Sequence, residues 1–290
     1  MKPMLSPREL AEAIGVSESS IKRWADDGRI RVARTAGGHR RIPIAEVIRF
    51  IRESRSQVVK PEVLGLRDLL AVPGGGPPAD EEADLHRYLT DGLGAETRGL
   101  LLSLFLGGRS VASLIDGPLR SAMKKIGEEW KQGREGIFIE HRATDLCIQA
   151  LGQLRLLLPV GVEAPRALGG APAGDPYLLP TLGTAAVLAA DGFHAVNLGP
   201  DTPRAAFEAA VEQVRPRLAW MSVSVAERPK ELVRTLAHLL ELLEREGASL
   251  VVGGSRVGVL DLEPHPALYV GSTMAELSAF TKGLSSPPRE

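Results

Sequence analysis

Trp130, followed after nine residues by the adjacent pair Glu140-His141, puts an indole, a carboxylate and an imidazole in a run that reads as two packed helices. A helical bundle could aim all three at one ligand. The arrangement suits sensing of a small molecule better than ordinary catalysis, since no nucleophile-base constellation is visible anywhere in the chain. Spacing alone leaves a second reading open: a Trp in a helix is commonly core, and a Glu-His pair is commonly solvated helix surface.

The elements that must position these residues are helical from about 81 to 158. Segments 81 to 93, 95 to 106, 110 to 132 and 135 to 158 carry apolar residues at three- and four-residue spacing, separated by Gly92-Leu93-Gly94, Gly107-Gly108 and Gly133. Short connections between four helices predict a small antiparallel bundle over 81–160. Trp130 falls near the end of the third helix and Glu140 and His141 in the first turns of the fourth, so a short turn brings them to one end of the bundle. The single cysteine, Cys147, lies in an apolar helical stretch and reads as a small core residue. It cannot form an internal disulfide, and no Cys/His cluster has zinc-ligand spacing.

The first sixty residues have a different character. They carry 13 Lys/Arg against 7 Asp/Glu, while the rest of the chain carries 22 against 29, although the net charge of the whole is only −1. An anion-binding face therefore belongs to the N-terminal domain. Ser6-Pro7-Arg8-Glu9 reads as an N-cap, a proline at the first helical position and a capping-box carboxylate. Gly15-Val16-Ser17 supplies a turn and a second N-cap, opening a helix whose core face carries Ile21 and Trp24. Two short helices about a glycine turn form a helix-turn-helix, in which the second helix presents its first turns to the major groove. Ser17, Glu18, Ser19, Lys22 and Arg23 are the candidates for base and phosphate contact. Ile30 to Arg34 alternates like a strand, Gly37-Gly38 turns, and His39-Arg40-Arg41-Ile42 returns, so a cationic wing is expected beside the recognition helix. Arg34, Thr35, His39, Arg40 and Arg41 are its candidates for the sugar-phosphate backbone. Pro43 opens a third helix, and residues 55–80, rich in Pro, Gly and Ser, read as a linker that hinges the domain over 1–54 to the rest.

The last third alternates strands, at 166 to 171, 194 to 198, 217 to 224, 249 to 253 and 267 to 270, with helices at 178 to 191, 203 to 214, 228 to 246 and 274 to 284. That order implies a parallel doubly wound sheet over 165–284, with a short tail at 285–290. Ligands of such sheets bind at the carboxyl ends of the strands, where the loops are rich in glycine and serine. No G-x-G-x-x-G follows a strand, which excludes a nicotinamide site, and the acidic pocket of a response regulator is absent. Hydrophobic residues make up 44% of the chain, no apolar run reaches the ~18 residues of a membrane span, and the start has no signal pattern, so a cytoplasmic protein with no membrane partner is expected.

The N-terminal segment resembles the winged helix-turn-helix of the MerR family, through the Gly37-Gly38-His39-Arg40 wing turn, in a short version closer to excisionase-like domains. The full order, a multi-domain α and α/β chain of winged helix-turn-helix, four-helix bundle and flavodoxin-like (Rossmann-like) sheet, resembles the cobalamin-binding MerR-type repressors of the CarH/LitR kind. Those proteins repress carotenoid genes in the dark and sense light through adenosylcobalamin. The resemblance implies that Trp130, Glu140 and His141 face the upper side of the cofactor, that the 198–203 loop with Gly199, Asp201 and Thr202 belongs to the site, and that Ser222, Ser224, Gly253 and Gly254 line its buried nucleotide tail. One loop departs. Such domains carry Asp/Glu-x-His-x-x-Gly, whose His ligates cobalt from below, whereas this chain reads Asp175-Pro176-Tyr177-Leu178-Leu179-Pro180. A neutral phenol with a pKa of about 10 is a poor cobalt ligand beside imidazole. Three readings follow: cobalamin without a protein lower ligand, another flat chromophore such as haem or a bilin with His141 as ligand, or a module without chromophore that serves oligomerisation and partner proteins.

The function expected is a DNA-binding transcriptional regulator of repressor type whose C-terminal cobalamin-binding-type module senses a ligand or light and controls oligomerisation, acting as a homo-oligomer (dimer or tetramer) on double-stranded operator DNA, with an antirepressor protein as a further partner. The alternatives are a ligand-independent regulator that uses the module as an interaction and oligomerisation scaffold, a sensor of another tetrapyrrole (haem or bilin), and a carrier module related to cobalamin-dependent methyltransferases.

Overall fold

The computed structural model describes residues 2–72, 80–129 and 134–285. Trp130, Gly133 and the tail beyond Ser285 lie outside these residues. The chain forms two compact units, one of Met1–Ser110 with Gly117–Pro159 and one of Val111–Asp116 with Val160–Glu290.

The first unit opens with β1 (Met4–Leu5), α1 (Pro7–Ile14), α2 (Glu18–Asp26), β2 (Ala33–Arg34), β3 (Arg40–Pro43) and α3 (Ile44–Ser54). Ser6 and Glu9 close a reciprocal capping box at α1, and a bond from Lys2 together with the Ser6 amide holds the Glu9 carboxyl down at about 2. Gly15 ends α1 in the left-handed region (φ 70°), which turns the chain at once into the Ser17 cap of α2. The strands form a small antiparallel sheet in the order β1-β3-β2. Leu5, Leu10, Ile21, Ile42, Ile48 and Ile51 close the core beneath it.

The expected linker is largely built structure. The amides of Val59 and Lys60 donate to the Ala13 carbonyl, α4 (Pro61–Leu64) and a 3-10 turn (Arg67–Ala71) follow, and Leu64, Leu66 and Val72 are buried. Asp68 meets Arg98 through two hydrogen bonds of 2.9 and 3.1 Å, which hold its carboxyl below the usual range. The Arg52 guanidinium stacks 3.8 Å over the Phe105 ring and donates to the carbonyls of Phe105 and Arg109. The apolar Val63-to-Leu70 stretch is therefore a docking surface rather than a tether over residues 56–72.

The bundle consists of α5 (Glu81–Asp91), α6 (Gly94–Leu106), α8 (Arg120–Glu129) and α9 (Arg134–Leu157). Ala143, Cys147, Ala150, Leu151 and Leu154 form the buried stripe of α9, and burial pushes the Cys147 thiol up to about 12. The helix expected over 110–132 is broken. Gly117 leaves helical geometry (φ −91°, ψ −107°) and Pro118 has no amide to give, so α7 (Val111–Leu114) and Asp116 separate from α8 and join the second unit. There the Asp116 carboxylate accepts from the Met274 and Ala275 amides at the start of α13 (Met274–Ser285).

The second unit is a five-stranded sheet of β4 (Arg166–Pro172), β5 (His194–Thr202), β6 (Leu218–Ser222), β7 (Ser249–Gly253) and β8 (Leu268–Gly271), all parallel in the order β5-β4-β6-β7-β8. Between them run α10 (Leu178–Ala190), α11 (Arg204–Val214) and α12 (Pro229–Arg245). Trp220 and Ser222 face α10, while Ala219, Met221 and Val223 pack against Phe207, Leu236 and Leu239 of α11 and α12.

A methyl group on Gly99 would lie 2.2 Å from the Asp68 carbonyl oxygen. Gly99→Ala is expected to lift the 67–72 turn from α6, to cost about 1–3 kcal/mol, and to speed proteolysis within 56–72. Thermal melts and limited proteolysis read both effects, and unchanged cleavage would show that the segment is not docked.

Candidate functional site

At the N-terminal end, the recognition helix begins with a serine cluster. Ser17 Oγ accepts from the Ser20 amide at 3.2 Å and bonds to the Ser19 and Ser20 hydroxyls, so Ser17 acts as the cap of α2. Glu18 and Lys22 pair at 2.8 Å on the exposed face. The wing is a tight hairpin in which Arg34 pairs with Arg40 across β2 and β3. The Thr35 amide donates to the His39 carbonyl, and Gly38 takes φ 77° at the turn, a conformation that glycine adopts without strain. Arg40 is engaged within the fold, donating to Asp26 at 2.6 Å and to the Lys22 carbonyl at 3.1 Å, and so clamps the wing to the end of α2. Arg23, Arg34, Thr35, His39 and Arg41 are exposed. The sequence offers five of these residues on the recognition helix and five on the wing, and the structure employs two of them within the fold, the exposed Ser17 as a helix cap and the half-buried Arg40 as a clamp.

In the bundle, Glu140 and His141 lie on α9. The His141 side chain is 75% exposed and 3.6 Å from Glu140, which also accepts from Thr144 at 3.3 Å. Its neighbours Ile137 and Phe138 are exposed, with Arg142 over the Phe138 ring. Trp130, the third member of the expected set, lies outside the described residues. Among the described residues, no group of three or more His, Cys, Asp and Glu side chains could hold a metal ion.

At the carboxyl ends of the strands, the residues picked from sequence come together. Asp175 is fully buried, and its carboxylate accepts from the amides of Ser224 (2.5 Å), Val225 (2.9 Å) and Tyr177 (3.2 Å). Its carbonyl accepts from the Asp201 amide, and Asp201 in turn accepts from the Gly174 amide at 2.7 Å. The Thr202 hydroxyl, also buried, donates to the Gly199 carbonyl. Tyr177 stands half exposed at the start of α10. A methyl group on Gly254 would strike the Val223 carbonyl at 2.3 Å, and one on Gly253 would press the Gly271 carbonyl at 3.1 Å, so both glycines serve close strand packing.

Sequence reasoning missed Trp220. Its indole is buried, donates to the Thr181 hydroxyl at 2.9 Å, and covers Gly169 so closely that an added methyl there would lie 2.1 Å away. Thr181 donates onward to Asn197 at 2.9 Å. Gly169 directly facing an indole across a parallel pair was the available signal, and only the register supplies it.

These residues can be tested against cobalamin held from below. Position 177 offers a phenol, a poor cobalt ligand, and the Asp175 carboxylate is spent on backbone amides. The hydroxyls of Thr184 and Ser222 approach to 3.5 Å, whereas a flat ring between two walls needs about 7 Å, twice an ordinary contact. The lower face does not fit a corrin with a protein lower ligand and a nucleotide tail beneath α10.

A basic helix-turn-helix joined to a helical bundle and a flavodoxin-like sheet defines a transcriptional regulator with a cobalamin-binding-type module. Comparison with known proteins agrees. Residues 4–55 match the helix-turn-helix domain family, and residues 81–155 match the B12 binding domain family. The chain is similar to the HTH-type transcriptional repressor CarA of Myxococcus xanthus, with 27% identity over 239 residues, covering 80% of this chain and 81% of that protein. The monomethylamine corrinoid protein of Methanosarcina barkeri shares the fold at a TM-score of 0.53 and 18% identity, covering 69% of this chain and 96% of that one. Among the described residues, no helix is long and apolar enough to cross a membrane.

Asn at position 175 keeps the shape but offers one acceptor oxygen where two now serve three amides. Asp175→Asn is expected to destabilise the chain by about 1–3 kcal/mol for each amide left unpaired. Chemical denaturation measures it, and a loss below about 0.5 kcal/mol, the usual effect of a surface change, would refute the clasp.

Proposed function

We propose that this protein is a transcriptional repressor that binds double-stranded operator DNA as a homo-oligomer. The observation that carries the reading is the exposed cationic face of the first domain, where Arg23 of α2 and Arg34 and Arg41 of the wing stand in solvent while Arg40 fixes the wing against the helix. Arg34, Arg41, Thr35 and His39 run along the sugar-phosphate backbone, and Ser19, Lys22 and Arg23 enter the major groove. The likeness to a repressor supports the sign of regulation. A single small winged domain buries too little surface for tight specific binding, so paired or repeated half-sites are required, and the module behind the domain supplies the pairing.

The protein acts by binding rather than by catalysis. Its module is of cobalamin type in its helical half, but Tyr177 and the Asp175 clasp argue against cobalt ligation from below. In this reading the lower face takes no cobalamin, and the module serves to pair the DNA-binding domains.

Arg34→Ala with Arg41→Ala removes two phosphate contacts and leaves the Arg40 clamp. Mobility-shift titrations are expected to show weaker binding to all duplexes alike, with the slope of log K against log salt reduced by about 2. Unchanged affinity and slope would contradict the assignment.

A further inference from the structure

With the α10 face of the sheet closed by Trp220, the opposite face opens at the same strand ends. The chain leaves β4 toward α10 and β6 toward α12, and these departures to opposite faces produce the crevice where doubly wound sheets take ligands. A cleft of about 670 Å³ lies there between α11 and α12, within the range of about 300–1,000 Å³ usual for small-molecule sites. Its accessible apolar wall is Pro203, Val225, Ala226 and Leu232, with the buried Phe207 and Met221 behind it, and its polar rim carries Arg204, Arg228 and Arg234.

The three guanidiniums are poorly used within the fold. Arg228 reaches Glu231 only at 3.4 Å, and Arg204 reaches Glu208 only at 3.4 Å, on a carboxylate shared with His238 at 3.1 Å. Close charge-assisted contacts run about 2.7–2.9 Å, so both pairs are loose. Arg234 has no ion-pair partner among the described residues. Two carboxylates on the rim, Glu227 and Glu231, leave the lining with a positive balance. Guanidinium forks match the planar oxygens of phosphates and carboxylates, and the wall beneath suits a flat apolar body.

We propose that the cleft between α11 and α12 binds a small organic oxyanion with an apolar ring, held by Arg204, Arg228 and Arg234 over Pro203, Val225 and Leu232. This site lies apart from the DNA-binding face, and it borders the Asp175 clasp through Gly174, Thr202 and Val225. Two kinds of metabolite carry this chemistry, phosphate esters and carboxylates, and paired probes with the same ring separate them.

The test uses the full chain, with melting temperature followed against phenyl phosphate, phenylacetate and uncharged benzyl alcohol. A saturable rise with one or both anions and none with the alcohol is expected, and the stronger anion identifies the metabolite class. In the Arg204→Ala, Arg234→Ala double variant the apparent Kd should rise about tenfold or more, from two lost charge-assisted contacts. The unliganded variant should melt cooperatively at the parent temperature, which shows that it is folded, and its duplex DNA affinity should stay at the parent value, which keeps this test separate from the repressor reading. No saturable shift with either anion, an equal shift with the alcohol, or an undiminished shift in the folded variant would overturn the proposal.

Discussion

A carboxylate without water needs hydrogen-bond donors, and Asp175 finds them in the backbone. Taking a charged group into a protein interior costs several kcal/mol unless its oxygens are satisfied, so the loop that carries it must bring amides to it. Here the donors come from the loop after β6 and from the turn into α10, while the Asp175 carbonyl and the Asp201 carboxylate tie in the end of β5. Three strand ends are thereby joined at one point. Tyr177 stands half exposed beside that junction, and Gly174, Thr202 and Val225 carry it to the edge of the α11 to α12 cleft.

Periodicity made the regular elements legible. Strand and helix bounds in the α/β half agree with the chain's alternation to within a few residues, because its strands are apolar runs bounded by Gly and Pro and its helices are long. The capping boxes, the wing turn and three of the bundle helices were readable for the same local reasons. The break at Gly117-Pro118 was written in the sequence, yet the apolar spacing on both sides hid it, since a helical pattern continues across a kink while the chain changes partners.

Side-chain employment was less legible than side-chain type. Arg40 and Arg41 are neighbours of one kind, and only the distance to Asp26 separates a clamp from a solvent-facing contact. Residues 56–72 looked like a tether by composition, while their docking depends on a bidentate pair, Asp68 with Arg98, that lies thirty residues apart in sequence. Trp220 opposite Gly169 is a register fact that no window of sequence contains. The helical half of the module matches the B12 binding domain family, and the sheet half presents Tyr177 and Pro180 in the segment that follows β4.

Closure of the lower face as a finished piece of core is the central claim. Hydrogen exchange at the Ser224 and Val225 amides of the full chain, followed in the dark with and without adenosylcobalamin, measures this most directly. Protection as strong as that of the β6 amides, and the same in both samples, is the predicted result. Fast exchange at those amides, or a change in it when adenosylcobalamin is added, would contradict that closure.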